Sequence, residues 1–363
     1  MALQTSGAIS LNDMHIEVGG TSGTTCSLND ADIRALINVG ANGQQSIQQY
    51  YGKSSETQLP TSGSTVNGQV QLKQITASSY ISSGGTLRIP SNMWVWSDDR
   101  TVAALTIDIP CTVINDGKVI GKGGQGGSGL QLKNDAHPTT SNYRSGYHTS
   151  TLGTGGDGGP AIKINSGVSN VTITNSSGAY LCGGGGGGGS SGVEPQNSFS
   201  GGGGGAGGAE GGCADLYSFG YGEYGRGGAL NAKGYYLSGS TQVTTYGGEA
   251  GGPGVPSAGE DSRSSSGGGA GRKVPGARVN GMNYGSTATT GYGGAGGEAG
   301  GNGTYGGNTG GSGGGGGWGS AGGNGYRGAF VSHQCKGGDA GKAVEDSGVS
   351  YTLSNSGTIY GGT

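Results

Sequence analysis

Alternating apolar and polar positions come in short segments along this chain, and long helical periods are absent. Gln69-Val70-Gln71-Leu72-Lys73-Gln74-Ile75 keeps a period of two, Thr86-Leu87-Arg88-Ile89 keeps it briefly, and Leu105-Thr106-Ile107-Asp108-Ile109 repeats it. Met93-Trp94-Val95-Trp96 is a continuous apolar stretch ended by Ser97-Asp98-Asp99, and both tryptophans read as core. Residues 56–120 are therefore expected to form a compact β domain. Three further segments set two strands around a turn: 112–120 with Asp116-Gly117, 171–181 with Asn175-Ser176-Ser177-Gly178, and 351–360 with Asn355-Ser356-Gly357. Each predicts a β-hairpin. The second and third match over a longer reach, since Gly155-Gly156-Asp157-Gly158-Gly159-Pro160-Ala161-Ile162 parallels Gly337-Gly338-Asp339-Ala340-Gly341-Lys342-Ala343-Val344.

The first fifty-odd residues carry a degenerate repeat in which Ser-Leu-Asn-Asp occurs at 10–13 and again at 27–30. An Asp or Asn there can supply a side-chain acceptor to the exposed N–H groups of a short helical turn, and Asp30–Ile37 reads as one such helix. A module this small buries little surface alone and is expected to dock onto something larger.

Composition changes the picture after residue 120. Of the 92 glycines, twelve precede Gly121, and the rest of the chain is about one-third glycine. That approaches the composition of disordered chains. A net charge of only −3, the absence of like-charge blocks and 18 tyrosines argue for order instead. Glycine loses the most backbone entropy on ordering, so the runs need a compensating arrangement. Polyproline-II-type segments satisfy none of their own N–H or C=O groups, yet lying side by side they can satisfy one another. Only glycine permits backbones to approach that closely on several sides.

Ten runs can be counted, at 121–129, 153–159, 183–189, 201–212, 219–228, 247–254, 266–271, 291–303, 306–317 and 337–341. If they alternate outward and back from a β platform, the far connections are 130–152, 190–200, 229–246, 272–290 and 318–336. The near ones are 160–182, 213–218, 255–265 and 304–305. Far loops then hold Tyr143, Arg144, Tyr147, His148, Phe199, Tyr235, Tyr236, Tyr246, Arg278, Asn283, Tyr284, Trp318, Tyr326, Arg327, Phe330 and His333. Tyr, Trp and Arg among Ser, Asn and Gly is the composition of a recognition surface. Tyr221, Tyr224, Tyr292 and Tyr305, inside or between runs, are read as side walls.

The expected fold is mainly β and irregular: a small N-terminal module (1–55), a β neck (56–120), and a polyglycine-II lattice of about ten runs (121–363) with hairpin caps at 160–182 and 342–362. Chemistry is sparse. Gly310-Gly311-Ser312-Gly313-Gly314 lacks the strand and helix of a nucleophile elbow, and Gly52-Lys53-Ser54 fails as a phosphate loop because Ile47 stands where its first glycine belongs. His15, His137, His148 and His333 have no zinc-type spacing, and no acid pair suits glycan cleavage. No enzyme activity, cofactor or metal is expected. The slightly acidic balance disfavours a nucleic-acid partner, and no stretch is apolar enough for membrane insertion. Cys26, Cys111, Cys182, Cys213 and Cys335 are scattered and odd in number, which favours reduced structural thiols and folding in a cytoplasm.

Two resemblances give these features a setting. The pattern SGAISLND…SLNDADIRALI…YYGKSS resembles a short module of tail and other virion proteins in tailed bacteriophages. It implies attachment to the particle, with Leu11, Asn12, Asp13, Leu28, Asn29, Asp30 and Ile33 as candidate contacts. Residues 121–363 resemble the receptor-recognising adhesin at the long-tail-fibre tips of T-even-like bacteriophages. That resemblance implies a polyglycine-II domain whose loops bind outer-membrane proteins or surface glycans of the host. The implied protein is a virion tail adhesin, assembled in the host cytoplasm, with a host receptor and other tail or baseplate proteins as partners. A structural baseplate or fibre-connector role is the alternative. A homotrimer fits the habit of phage fibres, and a lattice complete within one chain fits the run count.

Overall fold

The computed structural model describes residues 3–37, 39–53, 55–60, 63–128, 153–191, 201–212, 225, 227–238, 241–244, 253–256, 265–280, 283–284, 288–289, 291–306, 309–326 and 335–363. The first segment holds two short helices, α1 (Leu11–Glu17) and α2 (Ala31–Ala35), around a small core of Leu3, Met14, Ile33, Leu36 and Tyr50. Both copies of Ser-Leu-Asn-Asp make the same bond: Ser10 N–H donates to Asp13 Oδ2, and Ser27 N–H to Asp30 Oδ2, each at 2.8 Å. The helix phase differs. Ser10 is the N-cap of α1 and Asp13 completes a capping box, whereas the second copy forms a turn and Asp30 is the N-cap of α2.

From residue 56 the strands are β1 (Glu56–Gln58), β2 (Thr65–Val66), β3 (Gln69–Lys73), β4 (Ile75–Thr76), β5 (Thr86–Ile89), β6 (Met93–Trp96), β7 (Leu105–Ile107), β8 (Thr112–Asn115), β9 (Lys118–Ile120), β10 (Ile162–Ile164), β11 (Val171–Asn175) and β12 (Tyr180–Cys182). The glycine-rich part then carries β13 (Tyr235–Ser238), β14 (Thr241–Thr244), β15 (Pro253–Pro256), β16 (Ser265–Gly267), β17 (Asn283–Tyr284), β18 (Ala288–Thr289), β19 (Tyr305–Gly306) and β20 (Thr309–Gly310). The chain closes with β21 (Val344–Glu345), β22 (Tyr351–Asn355) and β23 (Thr358–Tyr360).

Three sheets result: five strands in the order β1-β5-β8-β11-β22, six in the order β2-β3-β6-β9-β12-β23, and four in the order β21-β10-β7-β4. Apart from β2 with β3, their pairs are parallel. The chain visits the sheets in rotation, so successive coils stack into a three-sided parallel β-helix. The inward member of each alternation fills its core, where Leu87, Ile89, Val95, Leu105, Ile107, Val113, Val119, Ile162, Ile164, Ile173 and Leu181 are fully buried.

The segments expected as hairpins are corners of this β-helix. β8 and β9 lie in different sheets, as do β11 with β12 and β22 with β23, and each strand pairs in parallel with its counterpart in the neighbouring coil. The turn chemistry is shared by both arrangements, which is why the sequence pattern misleads. Asn115 Oδ1 accepts from Gly117 N–H at 3.1 Å, and Asn355 Oδ1 from Gly357 N–H at 3.2 Å. Glycine is needed at 117 because a Cβ would overlap the carbonyl oxygen of Pro90 in the adjacent coil. The expected caps at 160–182 and 342–362 are thus coils.

The glycine-rich chain is inserted at one corner of two successive coils. It leaves the six-stranded sheet after β9 and re-enters the four-stranded sheet at β10, then leaves after β12 and re-enters at β21. The two returns are the matched sequences at 155–162 and 337–344. They lie side by side, with Asp339 N–H on Asp157 Oδ1 at 2.8 Å, Ala161 N–H on Lys342 O at 3.0 Å, and Ile162 in register with Val344.

Main-chain bonds hold the passes to one another. In the pass 183–190, Gly184, Gly187 and Ser190 donate to Gly159, Gly156 and Gly153; Gly185 and Gly188 donate to Ala206 and Gly203; Gly186 and Gly189 donate to Ser320 and Gly323. Its carbonyls at Gly185 and Gly188 accept from Gly124 and Gly127, those at Gly184 and Gly187 from Gly341 and Gly338, and those at Gly186 and Gly189 from Gly316 and Gly313. Every third residue meets the same neighbour, and the pass is enclosed on all sides. A Cβ on Gly187 would overlap the carbonyl oxygen of Gln125.

Several expected passes are corrected. The run 201–212 doubles back at Gly207 and Gly208, whose φ values are +115° and +75°. Before the reversal Gly202 and Gly205 donate to Gly127 and Gly124; after it Gly123 and Gly126 donate to Gly207 and Glu210, so the direction has switched. The run 291–303 doubles back at Gly296-Gly297, closed by Glu298 N–H on Ala295 O at 2.8 Å. Residues 317–320 form another reversal, beside the six-stranded sheet, closed by Ser320 N–H on Gly317 O at 3.1 Å. Both reversals lie inside glycine-rich runs, at Ala206-Gly207-Gly208-Ala209-Glu210 and Ala295-Gly296-Gly297-Glu298-Ala299, so counting runs by glycine content merges neighbouring passes. With the parity altered, the passes flanking 213–218, 255–265 and 304–305 point away from the β-helix. Residue 230 lies against it, with its carbonyl accepting from Asn67 Nδ2 at 2.9 Å.

Candidate functional site

The far ends of the passes carry four short antiparallel hairpins, β13–β14, β15–β16, β17–β18 and β19–β20. Tyr235 and Tyr236 fall in the first, opposite Thr244 and Val243, and Asn283 and Tyr284 in the third, opposite Thr289 and Ala288. Tyr326 ends an outward pass, half-buried, with its N–H on Gly311 O at 2.8 Å. Tyr143, Arg144, Tyr147, His148, Phe199, Tyr246, Arg327, Phe330 and His333 lie outside the described residues. The pass ends that flank them, such as Ser128 and Gly153 or Ser191 and Gly201, stand at the far end. So do Gly212 and Gly225, which bracket Tyr217, Phe219, Tyr221 and Tyr224. That segment was read as near-side or wall, and nothing in it signals otherwise until the reversal at Gly207-Gly208 is known.

Two predicted recognition residues sit elsewhere. Trp318 is fully buried beside the β-helix, and its Nε1–H donates to Lys273 O at 2.6 Å. It packs with Trp94, Ile120, Cys182, Ala206 and Leu230 between the outer face of the six-stranded sheet and the near-side reversals. Its position in the reversal at 317–320 is the reason. Arg278 pairs with Glu298 Oε1 at 2.5 Å while its guanidinium lies 3.7 Å from the centre of the Tyr292 ring.

Two cations, Lys122 and Arg272, lie beside the apolar cluster around Trp318. Lys122 donates from Nζ to Gly208 O at 2.7 Å, and burial, with Arg272 close by, holds its ammonium down to about 8. Arg272 is 7% exposed and sits 4.7 Å over the Trp96 ring, and burial lowers it to about 10. Burial pushes the Cys111 thiol up to about 11 and raises Cys182 as well, so both stay protonated. Cys26, Cys111, Cys182 and Cys335 are unbridged. Among the described residues no group of His, Cys, Asp and Glu is placed to hold a metal ion, and no helix is long and apolar enough to cross a membrane.

In the N-terminal module most predicted contact residues build the module itself. Ile33 is fully buried and Leu11 packs against its core. Asn12 Oδ1 accepts from Gly23 N–H at 2.9 Å, Asn29 Nδ2 donates to Asn42 Oδ1 at 3.2 Å, and Asp13 and Asp30 receive Ser10 and Ser27. The Ser10 backbone and side-chain hydrogen bonds hold the Asp13 carboxyl below its usual range. Leu28 is exposed, and Ile16 and Ile47 join it among the exposed apolar side chains. Ile16 lies outside both Ser-Leu-Asn-Asp copies, so the repeat does not point to it.

A family model described as phage tail fibre adhesin Gp38 matches residues 56–284. The chain is also similar to a solved structure, the gp37-gp38 adhesin tip complex of the bacteriophage S16 long tail fibre, at 17% identity and TM-score 0.34, with 99% of each chain covered. No curated protein matches the chain.

Proposed function

The chain belongs to the phage tail fibre adhesin family Gp38 and is a tail fibre adhesin of the virion, and from that premise we propose that it recognises a host surface molecule through the far ends of its glycine-rich passes. The carrying observation is that the hairpins β13–β14, β15–β16, β17–β18 and β19–β20 lie at far ends of the passes, while Ala206, Leu230 and Trp318 at near ends are buried with Trp94 and Ile120 of the β-helix. The passes act as a polyglycine-II lattice, a reading supported by the three-residue rotation of bonding partners along 183–190. At about 3.1 Å per residue, a pass of seven or eight residues stands the loops roughly 25 Å clear of the β-helix.

Recognition then falls to Tyr143, Arg144, Tyr147, His148, Phe199, Tyr235, Tyr236, Tyr246, Asn283, Tyr284, Tyr326, Arg327, Phe330 and His333, joined by the aromatics of 213–224. The receptor is an outer-membrane protein or a surface glycan. The N-terminal module joins the adhesin to another tail protein, with Ile16, Leu28 and Ile47 as its apolar contacts. The adhesin is non-catalytic and is assembled in the host cytoplasm. Exchanging 213–224 and 235–250 for the equivalents of a relative with another host range tests the reading. A transferred host range supports it, and unchanged adsorption overturns it.

A further inference from the structure

We infer that Lys122 and Arg272 form a clamp that sets the direction in which the glycine lattice leaves the β-helix, and so are positioning residues for the receptor-binding loops. They belong to different insertions: Lys122 follows β9, and Arg272 lies in the second excursion. Both converge on the reversal at Gly207-Gly208. Lys122 Nζ donates to Gly208 O at 2.7 Å, and a Cβ on Gly208 would overlap the Arg272 guanidinium. Gly207 and Gly208 both donate to Gly271 O at 3.0 Å, immediately before Arg272. Arg272 ties the next reversal too, through Nη1 on Gly228 O at 2.5 Å and its own N–H on Ala232 O at 3.0 Å. Its ring contact is with Trp96 of β6, in the β-helix. First insertion, second insertion and β-helix therefore meet at two cations.

This arrangement is a poor way to gain stability. Arg272 is nearly fully buried and its Nε is without a hydrogen-bond partner, and a desolvated charge costs several kcal/mol that imperfect pairing does not return. Apolar packing at Trp94, Trp318 and Leu230 already holds the two bodies together, but such packing is not directional. Hydrogen bonds to Gly208 O and Gly228 O are, and they fix which reversal faces which strand.

The inference rests on the reading that far loops carry recognition, and the test separates the two. Spin labels at Ser82→Cys and Thr304→Cys, both exposed sites, in a Cys26→Ser, Cys213→Ser background, report the distance between β-helix and lattice. In Lys122→Met and Arg272→Met the melting temperature is expected to stay level or rise while the distance distribution broadens, and phage adsorption is expected to fall about tenfold. Lys122→Arg should restore the narrow distribution. A wild-type distribution in both methionine variants would overturn the clamp. A broadened distribution with unchanged adsorption would uphold the clamp and count against loop recognition. If Arg272→Met fails to fold, Lys122→Met alone decides.

Discussion

The side-chain amide of Asn115 donates to the side-chain oxygen of Asn175 at 2.8 Å, one coil of the β-helix away. Asn175 passes the bond on to Asn355 at 2.8 Å, so three coils share one amide ladder at the same corner. Asn115 and Asn175 are fully buried, and Asn355 ends the ladder in solvent. Asn175→Ala takes one acceptor from the buried Asn115 amide and leaves the Thr358 carbonyl without the Asn175 Nδ2–H, and should cost about 2–3 kcal/mol, against under about 1 for the exposed Asn355→Ala. Denaturant titration of the two variants checks the order. Equal losses would mean that the ladder adds nothing beyond local turn bonds.

Trp318→Ala removes the largest side chain between the lattice and the six-stranded sheet and should lower stability by about 3–5 kcal/mol. Thermal unfolding measures it. A variant with wild-type stability and lost adsorption would return Trp318 to the recognition surface.

Close backbone approach gives a contrast between glycines. Gly187→Ala places a methyl group onto the Gln125 carbonyl and should destabilise by about 3 kcal/mol or more. Gly63→Ala meets nothing within 4 Å and should change stability by less than about 0.5 kcal/mol. Similar melting temperatures for the two would contradict the enclosed lattice.

The inward alternation at 86–89 and 105–107 and the twin returns at 155–162 and 337–344 were legible, because alternation and repetition survive in sequence. The corner at Asn115-Asp116-Gly117 was not, since a tight turn between two strands of one sheet and a corner between two sheets ask for the same residues. Nor was Trp318: its side follows from parity, and parity changes with each reversal inside a glycine-rich run, such as Gly207-Gly208. The meeting of the half-buried Lys122 with the buried Arg272 was invisible because the two are far apart in sequence and alike in pattern to surface residues.

Lys122 also predicts a pH dependence. Its folded value of about 8 lies below the ordinary 10.5, so between those limits the unfolded chain holds a proton that the folded chain has released. Stability attributable to Lys122 therefore rises with pH in that window, by at most about 1.4 kcal/mol per pH unit. Cys111, raised to about 11 from 9.0, works in the opposite sense above pH 9, which confines a net gain to pH 8–9. Melting temperatures of the wild type and Lys122→Met over that interval should converge or cross. Parallel profiles would contradict the buried ammonium.

The most direct test of the account is photo-crosslinking on intact virions, with a benzophenone amino acid at Tyr236 in the first far-end hairpin and, separately, at Thr57 on the β-helix. Upon adsorption, the Tyr236 probe should capture a host surface molecule and the Thr57 probe should not. Capture of another virion chain from Tyr236, with no host molecule, would contradict recognition at the far ends of the lattice.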